Sequence, residues 1–415
     1  MTIRNHSPSW RWIICGLILL ATMLNYMDRQ TLSQSATDIS KELQLRNEDY
    51  GNIELAFGLA FAAGGILLGF AADRVSLRWL YPAVLIAWSA AGFATGWVRG
   101  YQGLLACRVL LGFFEAGQWP CALAASQRLL SRSDRALGNS LIQSGASIGA
   151  IITPLVVQLM VSDVPGSWRG PFRVIGLLGG LWTIGWLMMI RGGDLDRVED
   201  NAPNQPEVTT TSRAMFVRRF LVLAVVIVAI NLYWHFYRAW LPKMLREQYG
   251  YSRDFVNYFT SVFYIATDVG CISAGFAVKA LSERWGSVHR ARVITFAGCA
   301  VLTTLGSLIA IVPAGPLMLA MLLLIAAGSL GLFPIYYSLS QELSVRHQGK
   351  ITGWLMCIAW LSTAFMHSQI GRWVDRTGSY GTVLVVTGLL PLIALLVLGT
   401  QWNSARQRQE SDLPP

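Results

Sequence analysis

Two pairs of opposite charges stand inside apolar stretches of this chain. Asp28 and Arg29 are adjacent in one stretch, and Arg108 and Glu115 are seven residues apart in another. A guanidinium binds a carboxylate through paired hydrogen bonds and keeps its charge, whereas burial raises the pKa of a carboxylic acid toward neutrality. The residue types therefore predict a chemistry with two parts: an anion held at the arginines, and a proton carried by Asp28 and Glu115.

The spacing of these charges predicts that they meet. Seven residues make two helical turns, so Arg108 and Glu115 share one face of a helix. A rise of about 1.5 Å per residue brings both pairs to overlapping depths in a hydrocarbon core about 30 Å thick. We expect Glu115 to hold Arg108 and Asp28 to hold Arg29, so that protonating an acid releases an arginine and couples protons to anion binding. The alternative is a structural set of ion pairs that joins helices and handles no solute.

The segments that position these charges are predicted membrane spans. The chain has 415 residues, of which 53% are hydrophobic and 13% charged, and its mean hydropathy is +0.46. A span needs about 20 apolar residues, and a charge within it costs about 3 kcal/mol or more unless it faces protein or water. Cutting the chain at charge clusters and at Gly or Pro turns gives twelve spans: 11–37, 47–72, 79–98, 102–126, 137–161, 169–190, 219–244, 255–281, 291–312, 315–341, 350–373 and 380–402.

The order of the spans predicts two halves. We expect an N-terminal six-helix bundle over 1–190, a solvated cytoplasmic linker over 191–218 and a C-terminal six-helix bundle over 219–415. The fold class is therefore an all-α membrane protein with twelve transmembrane helices in two six-helix bundles. Short echoes support a duplication: Gly69-Phe70-Ala71 matches Gly275-Phe276-Ala277, and Gly117-Gln118-Trp119-Pro120 matches Gly331-Leu332-Phe333-Pro334. Two parallel repeats of this kind place a substrate site between them, near the middle of the membrane.

Charge and cysteine usage limit the classes of protein. The net charge of +10 comes from Lys and Arg scattered at the ends of apolar segments, with an excess on the side that holds both termini. This pattern predicts cytoplasmic termini and no nucleic-acid partner. The six cysteines lie inside apolar segments without metal-type spacing and are expected to pack. The chain carries no Walker motif and no TVGYG-like filter, and we expect no cofactor, no metal and no enzymatic activity.

An aromatic stretch near the end of span 7 is a candidate binding wall. It consists of Tyr233, Trp234, His235 and Tyr237, and Arg238 follows it. Tyr and Trp offer apolar faces to a sugar ring and polar edges to its hydroxyl groups. The alternative is a belt of aromatic side chains at the membrane interface, where Arg238 would extend toward water.

Other polar residues are candidates for substrate contacts. Asn25 and Tyr26 immediately precede the first charge pair, and Gln143 lies in span 5. The neighbours of Gln143, Ser144-Gly145-Ala146, also suit close helix packing, which is the alternative for that region. Glu54 lies near the start of span 2, where we expect it to meet water.

The connection after span 2 is a candidate conformational lock. Gly69 allows two helices to approach closely, and Asp73, Arg74 and Arg78 can form ion pairs that hold one conformation and release in another. The alternative is an ordinary polar loop.

Together these motifs resemble the major facilitator superfamily and, within it, the anion:cation symporters, especially the hexuronate and galactonate transporters. The matching runs are Asn25-Tyr26-Met27-Asp28-Arg29, the residues 108–117, Trp240-Leu241-Pro242-Lys243 and Thr267-Asp268-Val269-Gly270. The run from Gly69 to Arg78 resembles the signature loop of the superfamily but lacks the usual Gly before its last basic residue. The resemblance implies that Arg29 contacts the substrate carboxylate and that Asp28 and Glu115 are proton sites.

We therefore expect a proton-coupled symporter that imports a small organic anion, a sugar acid such as a hexuronate or an aldonate, by alternating access. Its expected surroundings are the lipid bilayer of a bacterial inner membrane, and we expect a monomer. One alternative is a proton-driven exporter of amphipathic compounds, for which cavity carboxylates without paired arginines are expected. Another is a transporter-like sensor that does not translocate its ligand, for which 191–218 is too short to hold an output domain.

Overall fold

The computed structural model describes residues 7–130, 135–195, 213–341, 343 and 348–402. Within these ranges the regular structure is entirely helical. The helices are α1 (Pro8–Leu43), α2 (Asn47–Arg74), α3 (Leu77–Thr95), α4 (Tyr101–Glu115), α5 (Gln118–Leu129), α6 (Arg135–Met160), α7 (Arg169–Met189), α8 (Arg213–Glu247), α9 (Arg253–Trp285), α10 (Val288–Ile309), α11 (Pro316–Gln341), α12 (Gln348–Thr377) and α13 (Gly381–Gln401).

These helices confirm the twelve predicted spans, with one span divided in two. The predicted span 102–126 consists of α4 and α5, which are separated by a turn at Ala116 and Gly117. Pro120 explains the division, because it lacks the N–H that a continuous helix would donate to Ala116, whereas proline is tolerated in the first turn of a new helix. Among the described residues, nine helices are long and apolar enough to cross a membrane by length and composition alone; α3, α12 and the two parts of the broken span are not among these nine.

Helix α1 carries the first charge pair and is built to be long. Pro8 occupies its first turn, and the Ser7 hydroxyl accepts a hydrogen bond from the backbone N–H of Trp10. The helix continues for 36 residues until Gln44 adopts a left-handed conformation with φ of 53°. At 1.5 Å per residue it is roughly 54 Å long, longer than the bilayer core, so Asp28 and Arg29 lie far from both ends.

The chain divides into two compact units. Unit 1 contains the described residues within 1–203, 238–262 and 364–378. Its main helix contacts pair α1 with α6, α2 with α4 and α3 with α7. Gly145 and Gly149 allow the first of these contacts, because a Cβ at Gly149 would lie 2.5 Å from the Met23 carbonyl oxygen and one at Gly145 would collide with that of Leu19. The packing role weighed for the neighbours of Gln143 is thus observed.

Unit 2 contains the described residues within 204–237, 263–363 and 379–415. Helix α10 packs against α11 and α13, around an apolar core that includes Leu223, Ile227, Phe296 and Leu332. Close packing again depends on glycine: a Cβ at Gly331 would lie 2.7 Å from the Cys299 sulfur. The predicted division at 191–218 stays a prediction, because most of that segment lies outside the described residues.

Candidate functional site

The first part of the site joins the middle of α1 to the end of α4. The Arg29 side chain is buried and its Nε lies 2.6 Å from Glu115 Oε2. Arg29 Nη2 donates to Asn25 Oδ1 at 2.9 Å, and Asn25 Nδ2 donates to the backbone oxygen of Glu115 at 3.3 Å. Asn25 thus orients Arg29 and Glu115 toward each other. Because Glu115 is the last residue of α4, the turn that divides the fourth span directly follows the carboxylate.

Asp28 lies one residue before Arg29 and has a different environment. Its side chain is 2% exposed, and neither carboxylate oxygen accepts a hydrogen bond from the described part of the chain. Gly92 on α3 leaves room for it, since a Cβ there would lie 2.7 Å from Asp28 Oδ1. A buried carboxylate without hydrogen bonds is costly in its ionised form. Asp28 interacts electrostatically with Arg29, Arg108 and Glu115.

The second part of the site is centred on Glu54, which we expected from its sequence position to meet water. That expectation was wrong: Glu54 is 1% exposed. Its Oε1 lies 3.4 Å from Nη2 of Arg108 on α4, and its Oε2 lies 2.5 Å from Nη2 of Arg238 on α8. The position of Glu54 within its helix could have indicated this burial, because it lies seven residues, or about 10 Å, beyond the start of α2 at Asn47.

The ion pairing also differs from the predicted pairing. We expected Glu115 to hold Arg108 and Asp28 to hold Arg29, whereas Glu115 holds Arg29 and Glu54 holds Arg108. Helical spacing places Arg108 and Glu115 on one face of a span but does not identify the neighbouring helix that each one meets. Arg108 Nε and Nη1 are buried and donate no hydrogen bond to any described residue.

Aromatic rings separate the two parts of the site. The Phe57 ring centroid lies 5.5 Å from Cζ of Arg29 and 4.7 Å from Cζ of Arg108. The rings of Phe61 and Tyr26 also contact Arg29, at 4.7 and 5.3 Å. These distances are typical of cation–π contacts, so apolar surface faces both guanidinium groups. The arrangement provides two adjacent cationic groups, separated by a ring and each partly neutralised by a carboxylate.

The aromatic stretch of α8 packs mainly within unit 2. The Tyr233 hydroxyl donates to the Thr303 carbonyl oxygen at 3.0 Å, and Trp234 contacts Tyr264 with ring centroids 6.0 Å apart. The rings of the next pairs are 4.7 Å apart for His235 and Trp360, and 6.0 Å apart for Tyr237 and Phe263. Their role as a binding wall stays a prediction.

Gln143 and the lock residues are separate from the buried charges. Gln143 is exposed on α6. A Cβ at Gly69 would only touch the Pro120 side chain, at 4.0 Å. A Cβ at Gly64 would instead collide with the Phe113 backbone, so α2 approaches α4 closely at Gly64. Arg74 ends α2 and is exposed, with Cζ 5.8 Å from the Phe70 ring.

Arg78 lies just after the connection between α2 and α3. It lies in the first turn of α3, its backbone oxygen accepts a hydrogen bond from Trp186 Nε1 at 3.1 Å, and its Cζ lies 5.0 Å from the Trp79 ring. The side chain of Asp73 lies outside the described part of the structure. The conformational lock therefore stays a prediction.

The fold is shared with solved membrane transporters. The chain superimposes with a TM-score of 0.78 on the crystal structure of a bacterial homologue of the human lysosomal transporter Spinster, in an inward-facing and unoccupied conformation. The match covers 96% of this chain and 100% of that one at 16% sequence identity, so it establishes the fold alone.

Sequence comparison identifies closer relatives. The chain is 25% identical to a hexuronate transporter of Escherichia coli K12, over 94% of this chain and 93% of the relative. It is 27% identical to a probable sulfoacetate transporter of Cupriavidus necator, over 92% and 91% of the two chains. The sequence profile of the Major Facilitator Superfamily matches residues 18–366. The buried charges of unit 1 therefore belong to a multi-pass membrane transporter, not an enzyme, and the chain is a member of the Major Facilitator Superfamily.

Proposed function

We propose that this chain is a proton-coupled symporter that imports a small organic anion, a sugar acid such as a hexuronate or an aldonate, across a bacterial inner membrane. The relative named as a hexuronate transporter supports the substrate class, since the two chains align over nearly their whole length. We further propose that both termini are cytoplasmic and that the protein works as a monomer.

One observation carries the proposal: the carboxylate of Asp28 is buried without a hydrogen bond beside the ion pair of Arg29 and Glu115. As an ion, Asp28 lacks the partners that normally offset burial, and protonation removes that cost. Asp28 is therefore the first proton site. Its position next to Arg29 makes the charge of the anion site depend on whether Asp28 holds a proton.

Glu115 is the second proton site, because it competes with the substrate for Arg29. While Glu115 is ionised it occupies Arg29 Nε at 2.6 Å. Once Glu115 is protonated, that bond weakens and Arg29 can bind the substrate carboxylate instead. Proton and anion then favour each other's binding by the same factor, which is the thermodynamic requirement for symport.

The neighbouring residues suit a polar ring compound. Arg108 adds buried donors that have no described acceptor. Asn25 and Tyr26 provide an amide and an aromatic hydroxyl for the substrate's hydroxyl groups, and the Phe57 and Phe61 rings provide apolar surface. Three buried arginines disfavour a cationic substrate, so they argue against the exporter of amphipathic cations.

The test is uptake of D-galacturonate into proteoliposomes driven by an inward proton gradient. We expect the wild type to accumulate the anion, and Asp28→Asn and Glu115→Gln to exchange it across the membrane without accumulating it. Asp163→Asn and Glu283→Gln are matched controls on exposed carboxylates and should behave like the wild type. Accumulation that survives in Asp28→Asn or Glu115→Gln contradicts the assigned proton sites. Tight binding without exchange in the wild type indicates a sensor.

A further inference from the structure

Glu54 is a buried acid to which the proposed mechanism assigns no task. It accepts contacts from two guanidinium groups on different helices, Arg108 on α4 and Arg238 on α8, at 3.4 and 2.5 Å. Removing one partner of a buried ion pair is strongly destabilising. Protonating Glu54 would remove the charge that two arginines contact at once, so this acid keeps its charge while Asp28 and Glu115 exchange protons.

The buried charges of the site balance. The positive groups are Arg29, Arg108 and Arg238, and the negative groups are Asp28, Glu54 and Glu115; all six are at most 4% exposed. With every group ionised the sum is 3 − 3 = 0. Without Glu54 the sum would be +1. Because a net charge in a region of low dielectric constant is costly, the empty site with Asp28 and Glu115 deprotonated is most stable when Glu54 is ionised.

The other titratable groups that face Glu54 add no charge. Tyr50 on α2 is a neutral phenol whose hydroxyl donates to the Ala239 carbonyl oxygen at 2.8 Å. His367 on α12 accepts a hydrogen bond from Trp240 Nε1 at its Nδ1, at 3.0 Å. A ring nitrogen that accepts a hydrogen bond carries no proton, so His367 is a neutral imidazole.

We infer that Glu54 is a fixed counter-ion that holds the empty site neutral, so that an anion binds only together with as many protons as it carries negative charges. The inference rests on the proposed function, since Asp28 and Glu115 are the groups that take the protons. After the site takes up one proton its charge is +1, and it can bind a monoanion. After it takes up two protons its charge is +2, and it can bind a dianion. The cycle is electroneutral in both cases.

The inference predicts how binding depends on pH. Above the pH range in which the empty site is protonated, binding must take up protons from solution. If binding takes up one proton, the dissociation constant rises by up to about tenfold per pH unit. If it takes up two protons, the dissociation constant rises by up to about a hundredfold per pH unit. D-galacturonate and galactarate form a matched pair of probes, because they share a six-carbon skeleton and carry one and two carboxylates. We expect the one-proton dependence for the first and the two-proton dependence for the second in the wild type.

Substitutions that change the sum of charges should change the number of protons by one. In Glu54→Gln the sum of charges is +1, and we expect the dissociation constant of D-galacturonate to be independent of pH. In Arg238→Gln the sum is −1, and we expect this constant to rise by up to about a hundredfold per pH unit. The double variant Glu54→Gln/Arg238→Gln restores the sum to zero and should return to about tenfold. Glu54→Asp keeps the charge and should match the wild type. Uptake by Glu54→Gln should also generate a current, which wild-type uptake should not.

The experiment is calorimetric titration of purified wild type and variants with both acids, over a pH range in which the acids stay ionised. If Glu54→Gln fails to fold, Arg238→Gln and the double variant still test the charge rule. A pH dependence that is the same in the wild type and all variants overturns the role of Glu54 and leaves the proposed function intact. Wild-type binding that is independent of pH overturns the proposed proton coupling. If neither acid binds to any variant, the substrate class and this inference are both wrong.

Discussion

The interiors of the two units differ in kind. Every buried Asp, Glu, Lys or Arg among the described residues lies in unit 1: Asp28, Arg29, Glu54, Arg108, Glu115, Arg238 and Lys243. The buried polar residues described in unit 2 include no Asp, Glu, Lys or Arg, and several of them bond to a nearby backbone oxygen, as Ser329 does to the Ala326 carbonyl oxygen at 2.8 Å. Unit 1 therefore carries the buried charges to which we assign the protons and the anion, whereas the described core of unit 2 contains no such charge.

The sequence echo between the halves allows individual residues of the two units to be paired. Aligning Gly117 with Gly331 sets Leu322 against Arg108 and Ser329 against Glu115. Leu322 is fully buried and Ser329 is 1% exposed. Gly117 packs against the side chain of Val84 in unit 1, and Gly331 packs against the side chain of Cys299 in unit 2. The two aligned segments thus share a closely packed glycine and differ in the residues that carry charge.

The largest expected effect comes from breaking the ion pair of unit 1. Arg29→Met leaves Glu115 buried without its guanidinium, and we expect a loss of about 3–5 kcal/mol in unfolding free energy. The double variant Arg29→Met/Glu115→Met removes both charges and should recover most of that stability while abolishing uptake. Denaturation of the purified variants measures the first effect, and proteoliposomes measure the second. Equal losses in the single and double variants would contradict an ion pair as the origin.

The corresponding change in unit 2 should affect stability alone. Leu322→Ala opens a cavity where the aligned residue of unit 1 is Arg108, and we expect a loss of at least about 2 kcal/mol. Because the described part of unit 2 contains no buried Asp, Glu, Lys or Arg, the pH dependence of uptake should match the wild type in the protein that remains folded. A shifted pH profile would show that coupling extends into unit 2 and would weaken the contrast.

Two glycines provide a matched pair with smaller effects. A Cβ at Gly92 in unit 1 would lie 2.7 Å from Asp28 Oδ1, and one at Gly306 in unit 2 would lie 2.8 Å from the Tyr237 hydroxyl. Crowding of this kind costs about 1–3 kcal/mol, so both alanine variants should be less stable. Only Gly92→Ala should move the pH midpoint of uptake, upward by as much as about one unit, because a methyl group beside Asp28 favours its neutral form. Identical pH profiles for the two variants would contradict Asp28 as a proton site.

The sequence was sufficient for the spans and for the charges that interrupt them. Apolar runs of membrane length are easily recognised, and Asp28, Arg29, Arg108 and Glu115 are visible because the interiors of their spans carry no other charge. Glu54 was missed because it lies near the start of its span, where an acid normally meets water. Its short contact with Arg238 joins residues 184 positions apart in the chain, and no local spacing encodes such a contact.

The pairing of the charges was also beyond the sequence, for a related reason. A seven-residue spacing fixes a face of a helix, whereas the choice between Arg29 and Arg108 as partner of Glu115 depends on how helices cross. Glycines set those crossings, since a Cβ at Gly112 would lie 2.5 Å from the Phe57 carbonyl oxygen. Which glycine meets which backbone is a property of the packed structure.

The smallest effect tests the contrast within unit 1, between its deep charges and a shallow one. Asp375 near the end of α12 accepts hydrogen bonds from the backbone N–H groups of Asn47 and Glu48, at 3.0 and 2.7 Å, and from the Asn47 side chain at 2.9 Å. These donors belong to the first turn of α2 and have no acceptor within their own helix. Asp375 therefore caps a helix that is distant in sequence.

Asp375→Asn replaces one acceptor oxygen by a donor and removes the negative charge that favours a helix N-terminus. We expect a loss of about 1 kcal/mol, as for other helix caps, which corresponds to roughly fivefold faster hydrogen exchange at Asn47 and Glu48 if they exchange by local opening. Arg372→Gln is the control, because its ion pair with Glu48 is partly exposed and worth little. Unlike the deep charges, Asp375 faces solvent, so the variant should keep the wild-type pH dependence of uptake. Exchange that is no faster in Asp375→Asn than in Arg372→Gln would mean that the cap contributes nothing, and that the charges of unit 1 matter only where they are buried.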